Sequence, residues 1–245
     1  MKRYDFDKVI DRHGSGAIKY DDLQVTFGSD DLIPMWIADM DFEVCEEITN
    51  ALKKRISHPI FGYSSPTDSY WNSIIDWLDH RHGFKVTRDE ITYIPGVVKG
   101  IGYAINFFSK PGDKVIIQPP VYHPFRIVTE GNDRVVLPNP LIKTEDSYRM
   151  DLEGLEKLAR EEKPAMMILC NPHNPIGIQW DNHTLCEVAR IARENNMVVV
   201  SDEIHGDLML EGRPHIPFLE TCDDARKVGI MFGAPSKTFN IPGMV

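Results

Sequence analysis

The sequence contains few of the residues that build disulfide frameworks or metal centres. Only four of its 245 residues are cysteines, and no two of them form a CxxC pair: Cys45, Cys170, Cys186 and Cys222. Scattered cysteines are typical of free thiols in a reducing compartment. We therefore predict neither a disulfide framework nor a zinc site, and no metal ligand is assigned.

Long apolar runs and basic clusters are also missing. No run approaches the roughly 20 apolar residues that span a bilayer, and the N-terminal stretch has no apolar segment of the kind found in signal peptides. The net charge is −10 and no basic run exceeds residues 53–55, which argues against binding to a phosphate backbone. The expectation is a cytoplasmic protein that binds neither membranes nor nucleic acids.

The sequence does contain enough apolar residues to form a core. Hydrophobic residues make up 42% of the chain, so it can fold as one large domain or as one and a half smaller ones. Residues 1–44 have no regular pattern and are expected to form an arm. Apolar residues recur at helical spacing over 43–57 and 67–82, and Gly83 is expected to end the second helix.

From residue 91 onwards, short apolar runs alternate with helical patterns. The predicted strands are 91–94, 114–118, 134–138, 165–170, 197–201 and 228–232, and the predicted helices are 97–109, 122–130, 151–162, 182–195 and a short one after Asp202. Strands that alternate with helices form mostly parallel sheets covered on both faces. The predicted fold class is therefore α/β.

Polar residues gather where these strands end, and ligands of doubly wound sheets bind at that edge. Lys237 lies on the loop after the last strand, where a partly desolvated lysine can attack a carbonyl. The ordinary alternative is a solvated loop lysine. Asp202 follows the strand at 197–201, so it either caps the next helix or pairs with a buried cation.

Three other strand ends carry candidate ligand groups, each with an ordinary alternative. Residues 95–100 form a turn into a helix whose first amides suit a phosphate, although most such turns bind nothing. Tyr122 can stack on a planar ring or be a core tyrosine. Asn174 can donate to an oxyanion or form an Asx turn that caps the next helix.

Together these residues match the groups that pyridoxal phosphate requires. Its aldehyde needs a lysine, its phosphate needs N–H donors, its ring oxygen needs a donor, and its pyridine nitrogen needs a carboxylate that keeps it protonated. The GxGxxG turn of a dinucleotide-binding fold is absent from the sequence. The sequence therefore predicts pyridoxal phosphate as the cofactor.

Motifs along the chain resemble one family of pyridoxal phosphate enzymes. NPHNPIG and SKTFN, with Asp202 between them, resemble fold-type I enzymes of the class I and II aminotransferase group. Within that group, five segments are similar to the MalY/PatB-type cystathionine β-lyases: PMWIADMDF (34–42), FGYSSP (61–66), CNPHNPIGIQW (170–180), SDEIHGDL (201–208) and APSKTFNIPG (234–243). The resemblance runs from about residue 3 to residue 245.

The resemblance implies a role for each candidate residue. Lys237 would form the Schiff base with the cofactor, and Asp202 would pair with its pyridine nitrogen. Tyr122 would stack on the ring, while Asn174 would face the phenolate oxygen, with His205 beside that oxygen where many relatives have a tyrosine. The phosphate would be held by the amides of Val97 and Val98, by Ser236 and by Tyr63 of a neighbouring subunit, and the substrate would be approached by Ala38 and Asn174.

The resemblance also implies a domain arrangement. Residues 1–45 would form an N-terminal arm with part of a small domain, in which Trp36, Asp39 and Asp41 pack the arm. Residues 46–245 would form the large cofactor domain. Family members continue beyond the equivalent of residue 245 with a C-terminal small domain, so the fold expected for this chain lacks that domain.

The reaction implied by the resemblance is α,β-elimination on a sulfur amino acid. Lys237 would remove the Cα proton as general base, and the products would be a thiol, pyruvate and ammonia. Transamination is the alternative, because it uses the same residues until that proton is removed. A second alternative is a non-catalytic regulator on the same scaffold. The expected partners are an amino-acid substrate and a second copy of the chain, with Tyr63 acting in trans.

Overall fold

The computed structural model describes residues 4–244. The helices are α1 Ile18–Asp21, α2 Leu23–Phe27, α3 Glu46–Ile56, α4 Asp68–His82, α5 Val97–Phe108, α6 Pro124–Glu130, α7 Leu152–Glu162, α8 Asn182–Glu194, α9 Asp223–Val228 and α10 Pro235–Thr238. The strands are β1 Lys114–Ile117, β2 Val135–Pro138, β3 Ile142–Lys143, β4 Tyr148–Arg149, β5 Met166–Cys170, β6 Val198–Asp202 and β7 Gly229–Phe232. Short 3₁₀ helices are formed by Arg88–Glu90, Phe218–Glu220 and Pro242–Met244.

The chain divides into two compact units. One consists of Met1–Ser64 with Pro235–Val245, of which the structure describes 4–64 and 235–244, and it is called the arm unit below. The other, Ser65–Ala234, is called the sheet unit. The domain boundary predicted at residue 46 refers to the domains of whole family members and stays a prediction.

The sheet unit contains a five-stranded parallel sheet with the strand order β2-β1-β5-β6-β7. Strands β3 and β4 form a separate antiparallel pair. At the carboxyl edge of the large sheet, Asp202 of β6 is the register partner of Cys170 on β5 and of Phe232 on β7. The strand ends therefore meet at one edge, and the predicted α/β class is confirmed.

The sheet is buried on both faces, as its continuous apolar strands predict. Met166 and Ile168 of β5 pack in a cluster with residues of α5 and α6. Met167 and Leu169 alternate with them and pack in a second cluster with residues of α7, α8 and α9. Fully burying an aliphatic side chain of this size contributes about 1.5–3 kcal/mol. Because β5 contributes side chains to both clusters, it is the centre of the core.

Several helix ends follow local sequence signals. The Asp151 carboxylate accepts from Gly154 N at 3.0 Å at the start of α7, and the Asp181 carboxylate accepts from Thr184 N at 2.7 Å at the start of α8. Gly83 ends α4 with φ +65°, a left-handed conformation that glycine adopts without strain. Within residues 4–244, no helix is long and apolar enough to cross a bilayer.

Two predicted elements are wrong. Residues 91–94 are not part of a described strand. Thr92 and Tyr93 are exposed, so the run lacks a second buried face. The segment after Asp202 forms turns instead of a short helix. Gly206 N donates to the Glu203 carbonyl at 2.9 Å and Leu208 N to the His205 carbonyl at 2.9 Å, which are single-turn bonds that no helix continues.

Candidate functional site

Asp202 provides a buried carboxylate at the carboxyl edge of the sheet. It is the last residue of β6 and is 5% exposed. Its Oδ1 accepts from Ile204 N at 3.1 Å. Because no helix follows it, helix capping does not explain this acidic residue.

The orientation of Asp202 is set by the residues on either side of it. Alternate residues of a strand point to opposite faces, and Val198 and Val200 belong to the core cluster on the α5 and α6 face. Asp202 shares their parity along β6, so its side chain lies on the same face of the sheet.

Ser201 and Glu203 alternate with Asp202 along the chain, so their side chains lie on the other face of the sheet, where they are fixed. The Glu203 carboxylate accepts from Ser201 Oγ at 2.8 Å and from Phe218 N at 2.9 Å, and it pairs with His215 Nε2 at 2.5 Å. His215 Nδ1 in turn bonds to Gln179 Oε1 at 3.0 Å. This anchor is not predicted above, although the adjacent acidic residues 202 and 203 indicate that one carboxylate must face away from the site.

Tyr122 lies half-buried on the loop after β1. Its backbone N donates to the Asn174 carbonyl at 3.0 Å, which joins the loop after β1 to the loop after β5. Burial raises the pKa of the Tyr122 hydroxyl, and the neighbouring Asp202 carboxylate raises it further. The phenol therefore stays protonated near neutral pH, close to Asp202.

Asn174 lies in the turn that follows β5. Its N–H donates to Cys170 Sγ at 3.3 Å, and burial raises the pKa of the Cys170 thiol, so that sulfur is uncharged. The helix that follows, α8, is capped by Asp181. Helix capping is therefore not the role of Asn174, and its half-buried side-chain amide is available for a ligand.

The first turn of α5 provides backbone donors. Gly96 precedes it with φ +96° and no side chain caps the helix, so the first amides, including those of Val97 and Val98, have no acceptor within the helix. The helix dipole adds partial positive charge at this end. A Cβ at Gly100 would lie 2.9 Å from Phe232 Cε1, so glycine there lets α5 pack closely against the end of β7.

His205 lies in the turn after β6 and is half-buried. Its carbonyl accepts from Leu208 N at 2.9 Å, which fixes the turn. The sheet unit thus brings Asp202, Tyr122, Asn174 and the start of α5 to one edge of the sheet, with His205 just beyond β6.

In the arm unit, Lys237 contacts a residue that is distant in sequence. Lys237 lies in the single turn α10, five residues beyond the end of β7 along the chain. Its Nζ donates to the Ala38 carbonyl at 3.1 Å. Ser236 beside it is buried, and its carbonyl accepts from Ile241 N at 2.9 Å. Two predicted site residues 199 positions apart, Lys237 and Ala38, are therefore in contact.

The segment around Ala38 is held by charged and amide side chains. Arg12 contacts Asp39 at 2.7 Å and Asp41 at 2.7 Å, and Lys19 contacts Asp41 at 2.8 Å. The Arg12 hydrogen bond lowers the pKa of Asp39 below its ordinary value. Asp39 and Asp41 pack the arm as predicted. Asn240 also binds this segment, since its Oδ1 accepts from Met40 N at 2.9 Å. These basic and amide partners were missed, because nothing in the local sequence pattern pairs them with residues 38–42.

Tyr63 is fully exposed. It lines an open groove of about 660 Å³ together with residues at the end of α3, among them Lys54, Arg55 and His58. An exposed tyrosine therefore lies beside basic side chains in the arm unit.

The chain is similar in sequence to a known protein family and to two named proteins. Residues 30–244 match the family model described as aminotransferase class I and II. The chain is 44% identical over 239 residues to cystathionine beta-lyase PatB of Bacillus subtilis (strain 168), which covers 98% of this chain and 62% of the relative. It is 35% identical over 242 residues to protein MalY of Escherichia coli (strain K12), with 98% and 61% covered.

The fold also matches solved structures. Cystalysin from Treponema denticola, whose crystal structure contains a pyridoxal 5'-phosphate cofactor, superimposes with a TM-score of 0.94 at 34% identity. That match covers 99% of this chain and 62% of cystalysin. The chain thus spans about three fifths of the length of the relatives it matches.

Proposed function

Because the chain belongs to the class I and II aminotransferase family, we propose that the protein is a pyridoxal phosphate-dependent carbon–sulfur lyase. The resemblance to MalY/PatB-type proteins is confirmed. The observation that supports the activity most is the 44% identity to a protein named as a cystathionine beta-lyase. The proposed substrate is a sulfur amino acid such as cystathionine or cysteine, and the proposed products are a thiol, pyruvate and ammonia.

The groups at the edge of the sheet fit this cofactor. Asp202 offers the buried carboxylate that a pyridinium N–H requires, and Tyr122 offers a half-buried aromatic ring. The uncapped start of α5 supplies N–H donors for a phosphate. This set of one carboxylate, one ring and free amides is the chemistry that pyridoxal phosphate needs.

We assign the remaining contacts by the family resemblance. Asn174 and His205 would lie beside the ring oxygen. Ser236, with the amides of Val97 and Val98, would hold the phosphate. Ala38 and Asn174 would approach the substrate.

When bound, pyridoxal phosphate supplies an aldehyde that reacts with an amine and a ring that accepts electrons. Lys237 would provide the protein amine and, once free, would remove the substrate Cα proton with its Nζ as general base. Asp202 would pair with the pyridine nitrogen and favour its protonated form. The Cβ sulfur would leave as a thiolate, and water would hydrolyse the remaining enamine to pyruvate and ammonia.

We also propose that the protein acts in the cytoplasm as a homodimer in which Tyr63 reaches the phosphate site of the partner subunit. The exposure of Tyr63 beside a basic groove supports a role in trans. Four free cysteines support a reducing compartment.

A product assay tests the activity. The protein is incubated with pyridoxal phosphate and cystathionine, and pyruvate is measured with and without an added keto acid. Lyase activity predicts pyruvate formation that needs no keto acid. Turnover that depends on the keto acid and yields a new amino acid would instead establish transamination. Cofactor binding without any turnover would favour a regulatory role.

A further inference from the structure

The side chain of Asn240 binds three backbone groups of the arm segment 38–42. Its Oδ1 accepts from Met40 N at 2.9 Å, and its Nδ2 donates to the carbonyls of Met40 at 2.9 Å and Phe42 at 3.0 Å. Since one side of the amide faces an N–H and the other faces two carbonyls, its orientation is fixed. Both N–H bonds of the amide are used on the arm.

The backbone of Asn240 joins this clamp to Lys237. Asn240 N donates to the Lys237 carbonyl at 3.4 Å. Asn240 has φ +54°, a left-handed conformation that asparagine tolerates better than most residues with a side chain. The residue is therefore suited both to end the turn that carries Lys237 and to direct its side chain at the arm.

The same arm segment is also held by ion pairs. Asp39 and Asp41 flank Met40 and bind Arg12 and Lys19. Lys19 is only 6% exposed, and its Nζ also donates to the Asp39 carbonyl at 3.1 Å. Ala38 precedes this fixed segment directly, so the position of its carbonyl is determined by contacts on both sides.

We propose that Asn240 is a positioning residue for Lys237. By fixing Met40 and Phe42, it holds the Ala38 carbonyl where it binds the Lys237 amine whenever that amine is free. The inference deepens the proposed function and rests on it, because a lysine that takes the Cα proton must be free and correctly directed. A backbone carbonyl directs the amine without adding a titratable side chain to the site.

The test measures the reactivity of Lys237 in the protein without added cofactor. Trace acetylation with acetic anhydride, followed by peptide mass spectrometry, gives a separate rate for each lysine. The main variant is Asn240→Gly, since glycine keeps the positive φ without strain while removing all three side-chain bonds. Asn240→Asp is the second variant, because its carboxylate still accepts from Met40 N but donates to neither carbonyl.

We expect Asn240→Gly to raise the acetylation rate of Lys237 by about two- to tenfold, the factor that corresponds to loss of a typical hydrogen bond. Asn240→Asp should raise the rate as well, because its second carboxylate oxygen would face the two carbonyls without a hydrogen to donate. Asn195→Gly is the matched control, because Asn195, in the sheet unit, likewise bonds a backbone carbonyl with its amide, at the end of α8. It should leave the Lys237 rate unchanged.

Lys19 reports on whether the arm stays folded. A rise at Lys237 while buried Lys19 stays protected supports the positioning role. An unchanged rate at Lys237 overturns it. So does a rise at Lys237 that occurs only together with a rise at Lys19, since Asn240 would then stabilise the whole arm. Because the readout requires neither added cofactor nor substrate turnover, these outcomes are independent of whether the protein cleaves sulfur amino acids.

Discussion

Asp202 is held in place by groups that do not themselves face the site. Ser201 and Glu203 are fixed on one face of β6, and Glu203 is anchored by Phe218 N and His215. The residue between them must therefore direct its carboxylate to the other face, toward Tyr122. A buried carboxylate fixed in this way can keep a partner nitrogen protonated without moving.

We predict that Asp202→Asn still binds pyridoxal phosphate but loses turnover by roughly 10²-fold. The amide is nearly isosteric with the carboxylate, but it does not stabilise a proton on the pyridine nitrogen, and loss of one preorganised electrostatic contact has effects of about this size. Steady-state pyruvate formation measures the loss, and Asp181→Asn, which keeps a good helix cap, is the control. Near-normal turnover in Asp202→Asn would show that this carboxylate has only a structural role.

The ion pairs of Asp39 are expected to make the stability of the protein depend on pH. Its pKa is lowered from the ordinary value of 3.8, first by the hydrogen bond from Arg12 and also by the charges of Arg12 and Lys19. A carboxylate with a lowered folded-state pKa contributes stability above its unfolded-state pKa. That contribution is lost as the pH falls through the folded-state value.

Asp39→Asn should therefore lower the free energy of unfolding by about 1–3 kcal/mol at neutral pH. The gap between the variant and the original protein should narrow as the pH falls below about 4, where the Asp39 carboxylate of the unfolded chain takes up a proton. It should close as the pH falls through the lower folded-state pKa. Urea denaturation at a series of pH values measures the gap. A gap that stays constant from pH 7 down to pH 3 would contradict the ion-pair account.

At the scale of secondary structure, β5 connects the core to the site. Its side chains alternate between two core clusters, and its last residue, Cys170, lies beside Asp202 in the sheet register. The turn with Asn174 follows directly. A shift of β5 would move both the core and the loop that carries this residue.

Leu169→Ala in β5 should destabilise the protein by about 2–5 kcal/mol, because Leu169 is fully buried and its truncation leaves a cavity. Val135→Ala in the edge strand β2 is the control, since Val135 is half-exposed and should cost much less. Urea denaturation of both variants gives the comparison. If both variants lost the same free energy of unfolding, the conclusion that β5 lies at the centre of the core would be contradicted.

The sequence could predict these elements because their signals are local. Continuous apolar runs predict β1, β5 and β6 to within a residue or two, and the polar residues at their ends predict Asp202, Tyr122 and Asn174 as neighbours. Residues 91–94 have the same apolar appearance but lack burial on two faces. The turns after Asp202 depend on contacts of Glu203 with His215, which lies 12 residues further on.

At the scale of the whole molecule, the decisive contacts join distant parts of the chain. Lys237 to Ala38 and Asn240 to Met40 span 199 and 200 positions. No periodicity or local motif predicts such pairs, since each partner looks like an ordinary loop residue. Family resemblance predicts Lys237 and Ala38 as site residues, but it does not point to Asn240, Arg12 or Lys19.

The proposed dimer predicts complementation between two impaired variants. Lys237→Ala subunits are mixed and refolded with Tyr63→Phe subunits, after the second variant has been shown to be impaired alone. If Tyr63 acts in trans, the subunit that keeps Lys237 receives an intact Tyr63 from its neighbour, so one site per dimer is complete. Activity above the sum of the parents is expected. No recovery despite proven subunit exchange would show that Tyr63 acts within its own chain.

Whether Lys237 holds the cofactor can be measured directly. The protein is incubated with pyridoxal phosphate and reduced with borohydride, and its peptides are analysed by mass spectrometry. We predict a stable cofactor adduct on the peptide that contains Lys237, and its absence in Lys237→Ala protein. An adduct that forms instead on Lys99 or another lysine, or one that persists in Lys237→Ala, would contradict the assignment of the site.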